Sequence, residues 1–442
     1  MKIAIQIVQV LMALSILVII HELGHFMFAR IFKTRIEKFY LFFDPWFSLF
    51  KIKRGDTEYG IGWLPLGGYV KISGMIDESL DREQMKQPAQ PWEFRSKPSW
   101  QRLLIMTGGV LFNFILAMII YVAILFVWGE TYLETKNAKY GILTDSLGFE
   151  MGLRNGDKIL TVDNQYISNF HQISSDIILN QRSTIQIERD GEPMTINVKK
   201  EFIPLMLKGQ GKIDARVPFG PFVVDSFEEE SPAKLAGLEK QDEIIGIDSI
   251  NFAYYDEFQS YMKSKKGQSI TLNILRESEN LNFPMVLSAT GLLGLYSQPQ
   301  QALEISRIKY GFLQSVPAGI KKGMKTIADY LKQFKLIFSR ENKGYESLGG
   351  FITIGSIFPG VWDWHAFWNL TAFLSIILAI MNILPIPALD GGHVMFLLYE
   401  VVSGRKPNDR LMEYAQIAGM IIIFSLLIFA NGNDILRFII RK

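Results

Sequence analysis

Residues 3–28 read IAIQIVQVLMALSILVIIHELGHFMF. The run is apolar apart from Gln6, Gln9, Ser15 and the motif His21-Glu22-Leu23-Gly24-His25. It is long enough to cross a bilayer as a helix, which takes about 20 apolar residues. Residues four apart share a helix face, so His21 and His25 can aim both imidazoles at one point. Two histidines in H-E-x-x-H are the usual start of a zinc site, and the intervening glutamate, Glu22, is the usual general base toward water. Ionisable side chains are costly in hydrocarbon, so a span that carries them signals function. A secretory signal peptide is the competing reading. Against it, the basic start is Lys2 alone, no small-residue cleavage site follows, and cleavage would remove the motif.

The rest of the composition agrees with a chain that is partly in a membrane. Hydrophobic residues make up 49% of the 442 residues and charged ones 20%, and the mean hydropathy is +0.16. The apolar residues are gathered in blocks, as in a mixed membrane and soluble protein. A net charge of +2 gives no support for a nucleic-acid partner. Cysteine is absent, which excludes disulfides, thiolate-ligated zinc and thiol catalysis. The chain has 5 histidines, so two in one such motif stand out.

Four spans are expected: 1–29, 103–128, 366–390 and 414–432. Arg30, Lys33, Arg35 and Lys38 follow the first span, Arg95, Lys97 and Arg102 lead into the second, and Arg405, Lys406 and Arg410 separate the third from the fourth. By the positive-inside rule these connectors are cytoplasmic, which puts the histidine motif near the cytoplasmic side and everything between the second and third spans on the far side. Arg437, Arg441 and Lys442 pull weakly the other way. The connector 30–102 contains Tyr59–Met75, whose glycines at 60, 62, 67, 68 and 74 and Pro65 break a helix while its Tyr, Trp, Val and Ile favour extended chain. A hairpin or re-entrant loop is expected, with an edge that can pair with an extended substrate. In the second span, Gly108, Gly109 and Asn113 suit close helix packing and a bond across helices.

Between these spans lies an internal repeat. Ser146, Gly152, Leu153, Asp157, Ile159, Val162 and Asp163 recur as Ser231, Gly237, Leu238, Asp242, Ile244, Ile247 and Asp248, each offset by 85 residues, and Ile185 and Ile270 keep that offset. Two copies of this size suggest two small domains, 129–214 and 215–300, rather than a solenoid. The pattern resembles a PDZ domain, which binds chain ends or internal strands by strand addition. Spacers or a size filter without peptide binding are the alternative. Residues 301–365 hold an amphipathic stretch whose lysines alternate with apolar residues at spacings of three and four, as in a helix on a membrane interface or on a neighbouring domain.

A hydrolytic zinc site needs three protein ligands and an open position. Asp390 is the foremost candidate for the third: it ends an apolar run, after Pro385 and Pro387 and before Gly391 and Gly392, where the chain can turn sharply and point a carboxylate sideways. His393 is a rival. His171, in the first repeat, and His365, ahead of the third span, lie away from the inferred cytoplasmic side and read as structural.

With these motifs in place the chain resembles the site-2 protease family of intramembrane zinc metalloproteases. The resemblance rests on His21-Glu22-x-x-His25, Pro65-Leu-Gly-Gly-Tyr-Val-Lys71, Gly109-x-x-x-Asn113, the tandem repeats, and Asn382-x-x-Pro385-x-Pro387-x-Leu389-Asp390-Gly391, and it covers nearly the whole length. Val110 stands where that pattern has proline. The resemblance implies a polytopic α-helical membrane protein with four transmembrane helices and two tandem PDZ-like α+β domains inserted between the second and third. It implies Zn2+ held by His21, His25 and Asp390, Glu22 as the proton carrier, and Asn382 as a donor to the substrate backbone or the developing oxyanion. Its substrates would be single-span membrane proteins already shortened by another protease, such as an anti-sigma factor in a stress response, and remnant signal peptides. The location would be a bacterial inner membrane, with the PDZ-like domains periplasmic. A catalytically silent scaffold that recruits partners through its PDZ-like domains is the alternative, and a four-span metal transporter is a further one. The intact ligand set argues against the first, and the concentration of polar groups on two spans against the second.

Overall fold

The computed structural model describes residues 2–65, 67–75, 88–298, 302–337, 339 and 349–440. Among the described residues, four helices are long and apolar enough to cross a membrane: Lys2–Ile31, Ser99–Val127, Trp364–Ile383 and Arg410–Leu436. The chain divides into two compact units, one built from Met1–Gly129, Lys309–Lys335 and Tyr345–Lys442, the other from Glu130–Ile308 and Leu336–Gly344.

The first unit is organised on helix α1 (Lys2–Ile31) and helix α2 (Ser99–Val127). Their backbones approach closely because Gly24 faces Gly108, and a methyl group on either would strike the other's backbone. Between them in sequence lies a four-stranded sheet of β1 (Ile36–Leu41), β2 (Phe43–Arg54), β3 (Thr57–Leu64) and β4 (Tyr69–Ile72), in the order β2-β3-β1-β4. The expected hairpin over Tyr59–Met75 does not form as one. β3 forms its hairpin with β2, turning at Gly55, and pairs in parallel with β1. β4 crosses to the other side of β1 and runs antiparallel to it, with Phe39 opposite Val70. Tyr59–Met75 therefore contributes strands to opposite sides of β1, because β1 already occupies the strand edge of β3 that β4 would need.

The expected span 366–390 is also two pieces. Helix α10 (Trp364–Ile383) is capped at its start by Asp363, whose carboxylate accepts from the amides of His365 (2.8 Å) and Ala366 (3.1 Å). It stops because Leu384, preceding Pro385, takes extended ψ 144. A new helix, α11 (Asp390–Ser403), begins at Asp390 itself. Gly391 and Gly392 lie against the backbones of Ile383, Leu384 and Pro387, where side chains would not fit. Apolar clusters tie these helices together, with Ile105 and Met106 of α2 meeting Leu397 of α11, and Ile120 and Ile124 meeting Ile376 and Ile380 of α10. Two further helices, α8 (Phe312–Ile337) and α9 (Phe351–Ile357), precede α10, and α12 (Asp409–Ile440) follows α11. Gly319 and Gly323 let α8 lie against Val122 and Met118 of α2. Asp434 of α12 accepts from the amides of Gly350 and Thr353, each at 2.9 Å, and so caps α9. Part of the expected stretch 301–365 lies outside the described residues.

The second unit carries the repeat. The first copy runs β6 (Ile142–Thr144), α3 (Ser146–Met151), β7 (Lys158–Val162), α4 (Ile173–Asn180), β8 (Thr184–Arg189) and β9 (Glu192–Asn197). The second runs β11 (Phe222–Phe227), α6 (Pro232–Leu235), β12 (Glu243–Ile247), α7 (Tyr255–Ser264), β13 (Ser269–Arg276) and β14 (Glu279–Val286). Strand β5 (Glu130–Leu133) pairs with β16 (Ile305–Ile308), and helix α5 (Ile203–Leu207) with strand β10 (Ile213–Ala215) completes the first copy, as β15 (Leu295–Ser297) does the second.

The same side-chain bonds recur in both copies. Arg189 donates to Asp157 (2.8 Å) and to the Gly152 carbonyl (2.8 Å); Arg276 donates to Asp242 (2.7 Å) and to the Gly237 carbonyl (3.0 Å). Gly152 and Gly237 share φ near 100°, a left-handed value that suits glycine. One correspondence shifts. Val162 pairs with Ile185, but Ile247 pairs with Leu272, so Leu272 and not Ile270 is the structural partner of Ile185. Asp163 bonds the Thr184 amide and Asp248 the Thr271 amide, each at 2.8 Å, which shows two more residues in that connection of the second copy.

Candidate metal centre

The histidine motif lies on α1, with His21 and His25 buried one helical turn apart. The neighbouring helix α2 makes room for them. Gly109 faces both rings, and a methyl group there would stand 2.6 Å from His21 Cε1. Asp390 reaches the same point from the first turn of α11. Its Oδ2 lies 3.1 Å from His21 Nε2 and 3.3 Å from His25 Nε2, and the two Nε2 atoms are 3.3 Å apart.

These spacings fit a tetrahedral zinc ion. With bonds of about 2.0–2.1 Å, ligand atoms on a tetrahedron stand about 3.3–3.4 Å from each other. Oδ2 of Asp390 is buried and meets no donor in hydrogen-bonding geometry, although two ring nitrogens lie within 3.3 Å. Three ligand-type atoms crowded within 3.3 Å of one another, one of them a buried carboxylate oxygen, form an arrangement a cation can fill. The donor set of two imidazoles and a carboxylate suits zinc, and three ligands leave one tetrahedral position open. Among the described residues, His21, His25 and Asp390 are the group that converges in this way. His393, the rival for the third ligand, falls three residues along α11 and is not part of it. His171 sits in the second unit on the approach to α4. His365 opens α10 with its ring 5.5 Å from Trp128, about 25 Å along the helix from Asn382.

Asn382, on the last turn of α10, places Nδ2 3.1 Å from His21 Nε2, beside the convergence point. Glu22 is half-buried on α1. Gly68, on the crossover into β4, faces it: a methyl group there would be 3.6 Å from Glu22 Cγ and would run into Val18 and the Tyr40 carbonyl. The sheet thus approaches the centre by its backbone.

Sequence alone reads Gly109 as a packing residue and Asn113 as a bond across helices, without naming its partner, and does not single out Ile105. In the structure Ile105, Gly109 and Asn113 form one face of α2 at four-residue intervals. The Ile105 carbonyl lies 2.8 Å from His25 Nδ1, and Asn113 Nδ2 lies 3.2 Å from His21 Nδ1. The available signal was that spacing, which matches the spacing of the two histidines on the opposing helix.

Known proteins resemble this chain over nearly its whole length. Residues 9–426 match Peptidase family M50. A Borreliella burgdorferi protein named "Putative zinc metalloprotease" is 28% identical over 440 residues, covering 96% of each chain. The regulator of sigma E protease of Haemophilus influenzae is 26% identical over 450 residues, covering 97% of this chain and 98% of its own. Metalloprotease MmpA of Caulobacter vibrioides is 26% identical over 453 residues, covering 99% and 97%. The chain belongs to peptidase family M50, the site-2 protease family, and is an integral membrane metalloprotease.

Proposed function

We propose that this protein cleaves transmembrane segments of single-span membrane proteins at a zinc ion held by His21, His25 and Asp390. The observation that carries the reading is the convergence of three ligand atoms from α1 and α11 at 3.1–3.3 Å from one another. Zinc in such a site supplies Lewis acidity, which makes water acidic enough to act near neutral pH and polarises a carbonyl. Glu22, one residue from His21, takes the proton of the attacking water and returns a proton to the departing amide nitrogen. Asn382, 3.1 Å from His21 Nε2, donates its amide to the substrate backbone or to the charge that develops on the carbonyl oxygen.

A substrate helix has its backbone bonds internally satisfied, so it must unwind before attack. β4 pairs with β1 on one side and stands last in its sheet, leaving an edge that can receive the unwound strand. Gly68 at the head of β4 lies against Glu22, which brings that edge to the proton carrier.

The repeats of the second unit are the PDZ-like domains, and they take part by binding exposed chain ends or by excluding intact substrates. One substrate is an anti-sigma factor shortened by another protease, in keeping with the Haemophilus influenzae relative's name as a regulator of sigma E protease, and remnant signal peptides are a second class. The basic residues at 30–38, 95–102 and 405–410 support an inner-membrane orientation with the metal centre toward the cytoplasm and the repeats in the periplasm.

The test is Glu22→Gln in the full chain. Zinc content stays at one ion per chain, and cleavage of a membrane-embedded reporter falls by roughly 10²–10⁴-fold. Full activity in this variant sinks the proposal.

A further inference from the structure

We infer that Asn113 is a positioning residue, which turns its side-chain oxygen to His21 Nδ1 and so holds that ring with Nε2 free for the metal. The inference rests on the zinc reading above. Nε2 is the atom of His21 that faces Asp390 and His25, at 3.1 Å and 3.3 Å. A neutral imidazole that binds a cation through Nε2 carries its proton on Nδ1, and that N–H needs an acceptor. For His25 the acceptor is the Ile105 carbonyl, 2.8 Å away. For His21 the group in reach is Asn113, on the same face of α2 two turns further along.

Asn113 is fully buried, and its amide stands 3.2 Å from His21 Nδ1. With Nδ2 turned to the ring, Oδ1 is a buried acceptor without a partner, while Nδ1 must be the bare nitrogen. That arrangement puts the proton on Nε2, the nitrogen the metal needs. An asparagine amide occupies the same space with its oxygen and nitrogen exchanged. In the exchanged orientation Oδ1 accepts from Nδ1–H, and Nε2 is left bare. The two orientations thus match the two tautomers of His21, and only the exchanged one serves the metal-loaded state. The backbone around this side chain is fixed from a third helix, because Ser375 of α10 donates to the Asn113 carbonyl at 2.8 Å. Helix α2 thereby sets the tautomer of both histidines, with Gly109 between the two acceptors.

The experiment measures zinc affinity by chelator competition on the detergent-solubilised full chain, comparing wild type, Asn113→Leu and Asn113→Asp. Leucine keeps the volume and removes the acceptor, and zinc binding weakens by about 10–100-fold, the usual effect of losing such an outer partner. Aspartate can only accept, and zinc binds as tightly as in wild type or more so. Wild-type affinity in Asn113→Leu overturns the inference. Should the leucine variant fail to fold, Asn113→Asp decides alone, since a loss of more than 10-fold in affinity there shows that the ring needs a donor or a neutral packing group. A wild-type chain that binds no zinc, or whose affinity is unchanged by His21→Ala, defeats the zinc reading itself and is separable from both outcomes.

Discussion

His25 Nε2 and Asp390 Oδ2 stand 3.3 Å apart, although one belongs to the first helix of the chain and the other opens α11. The contact depends on the sharp return of the chain after α10, where Gly391 and Gly392 pack on the backbone they have just left. Replacing Asp390 by Asn keeps the size and removes the charge. Zinc affinity should fall by more than the roughly 10–100-fold typical of an outer partner, with cleavage lost in step. Zinc content after dialysis against a chelator, and its recovery on adding zinc, is the measurement.

Gly108 and Gly109 are adjacent and separable. A methyl group on Gly109 strikes both imidazoles, whereas one on Gly108 stands 2.6 Å from the Gly24 carbonyl oxygen. Gly109→Ala should lose zinc while the chain stays folded. Gly108→Ala should instead cost about 1–3 kcal/mol of stability through forced separation of α1 and α2. Zinc content and thermal unfolding, measured on both variants, distinguish the two effects.

Helix α11 is anchored away from the candidate metal centre by a buried ion pair. Arg102 of α2 bonds Glu400, Ser99 Oγ donates to the same carboxylate at 3.1 Å, and Arg102 also donates to the Lys97 carbonyl at 2.9 Å. Arg102 is 8% exposed and Glu400 9%. Removing one partner of such a pair leaves an uncompensated buried charge and costs about 3–5 kcal/mol. Arg102→Met should therefore destabilise the protein strongly, and Arg102→Met with Glu400→Leu should regain most of the loss. A double variant as unstable as the single one would show that packing, not charge, is the cause.

The two repeats carry matched acid-sensitive carboxylates. Burial pushes Asp163 up, but the amides and hydroxyls of Thr184 and Ser183 outweigh it and hold it below the ordinary aspartate range. The Tyr261 hydroxyl, then the Thr271 amide, do the same for Asp248 against the effect of burial. A carboxyl depressed by folding stabilises the fold fully above its unfolded value of about 3.9. That stability is lost as pH falls through the depressed folded value. Asp248→Asn should be less stable than wild type at pH 7, and the gap should close as pH drops below about 4. Denaturant unfolding across pH 2–7 reads this directly.

Hydropathy and residue spacing alone determined a good part of this protein. The four apolar helices, the helical pairing of His21 with His25, and the two-copy repeat are local or periodic properties, and period and composition report them. The partners across elements were decided by tertiary structure. Strand order around β1 depended on which edge was already taken, and the sequence carries no mark of that. The offset between Ile185 and Leu272 depended on the length of a connection, not on residue identity. The roles of Ile105, Gly109 and Asn113 came from the face α2 turns toward α1, because a glycine read alone means close approach without saying to what. The H-E-x-x-H motif announces two ligands and a base. The convergence of Asp390 with the two histidines, and the face of α2 that meets their rings, exist only once α1, α2 and α11 are packed together.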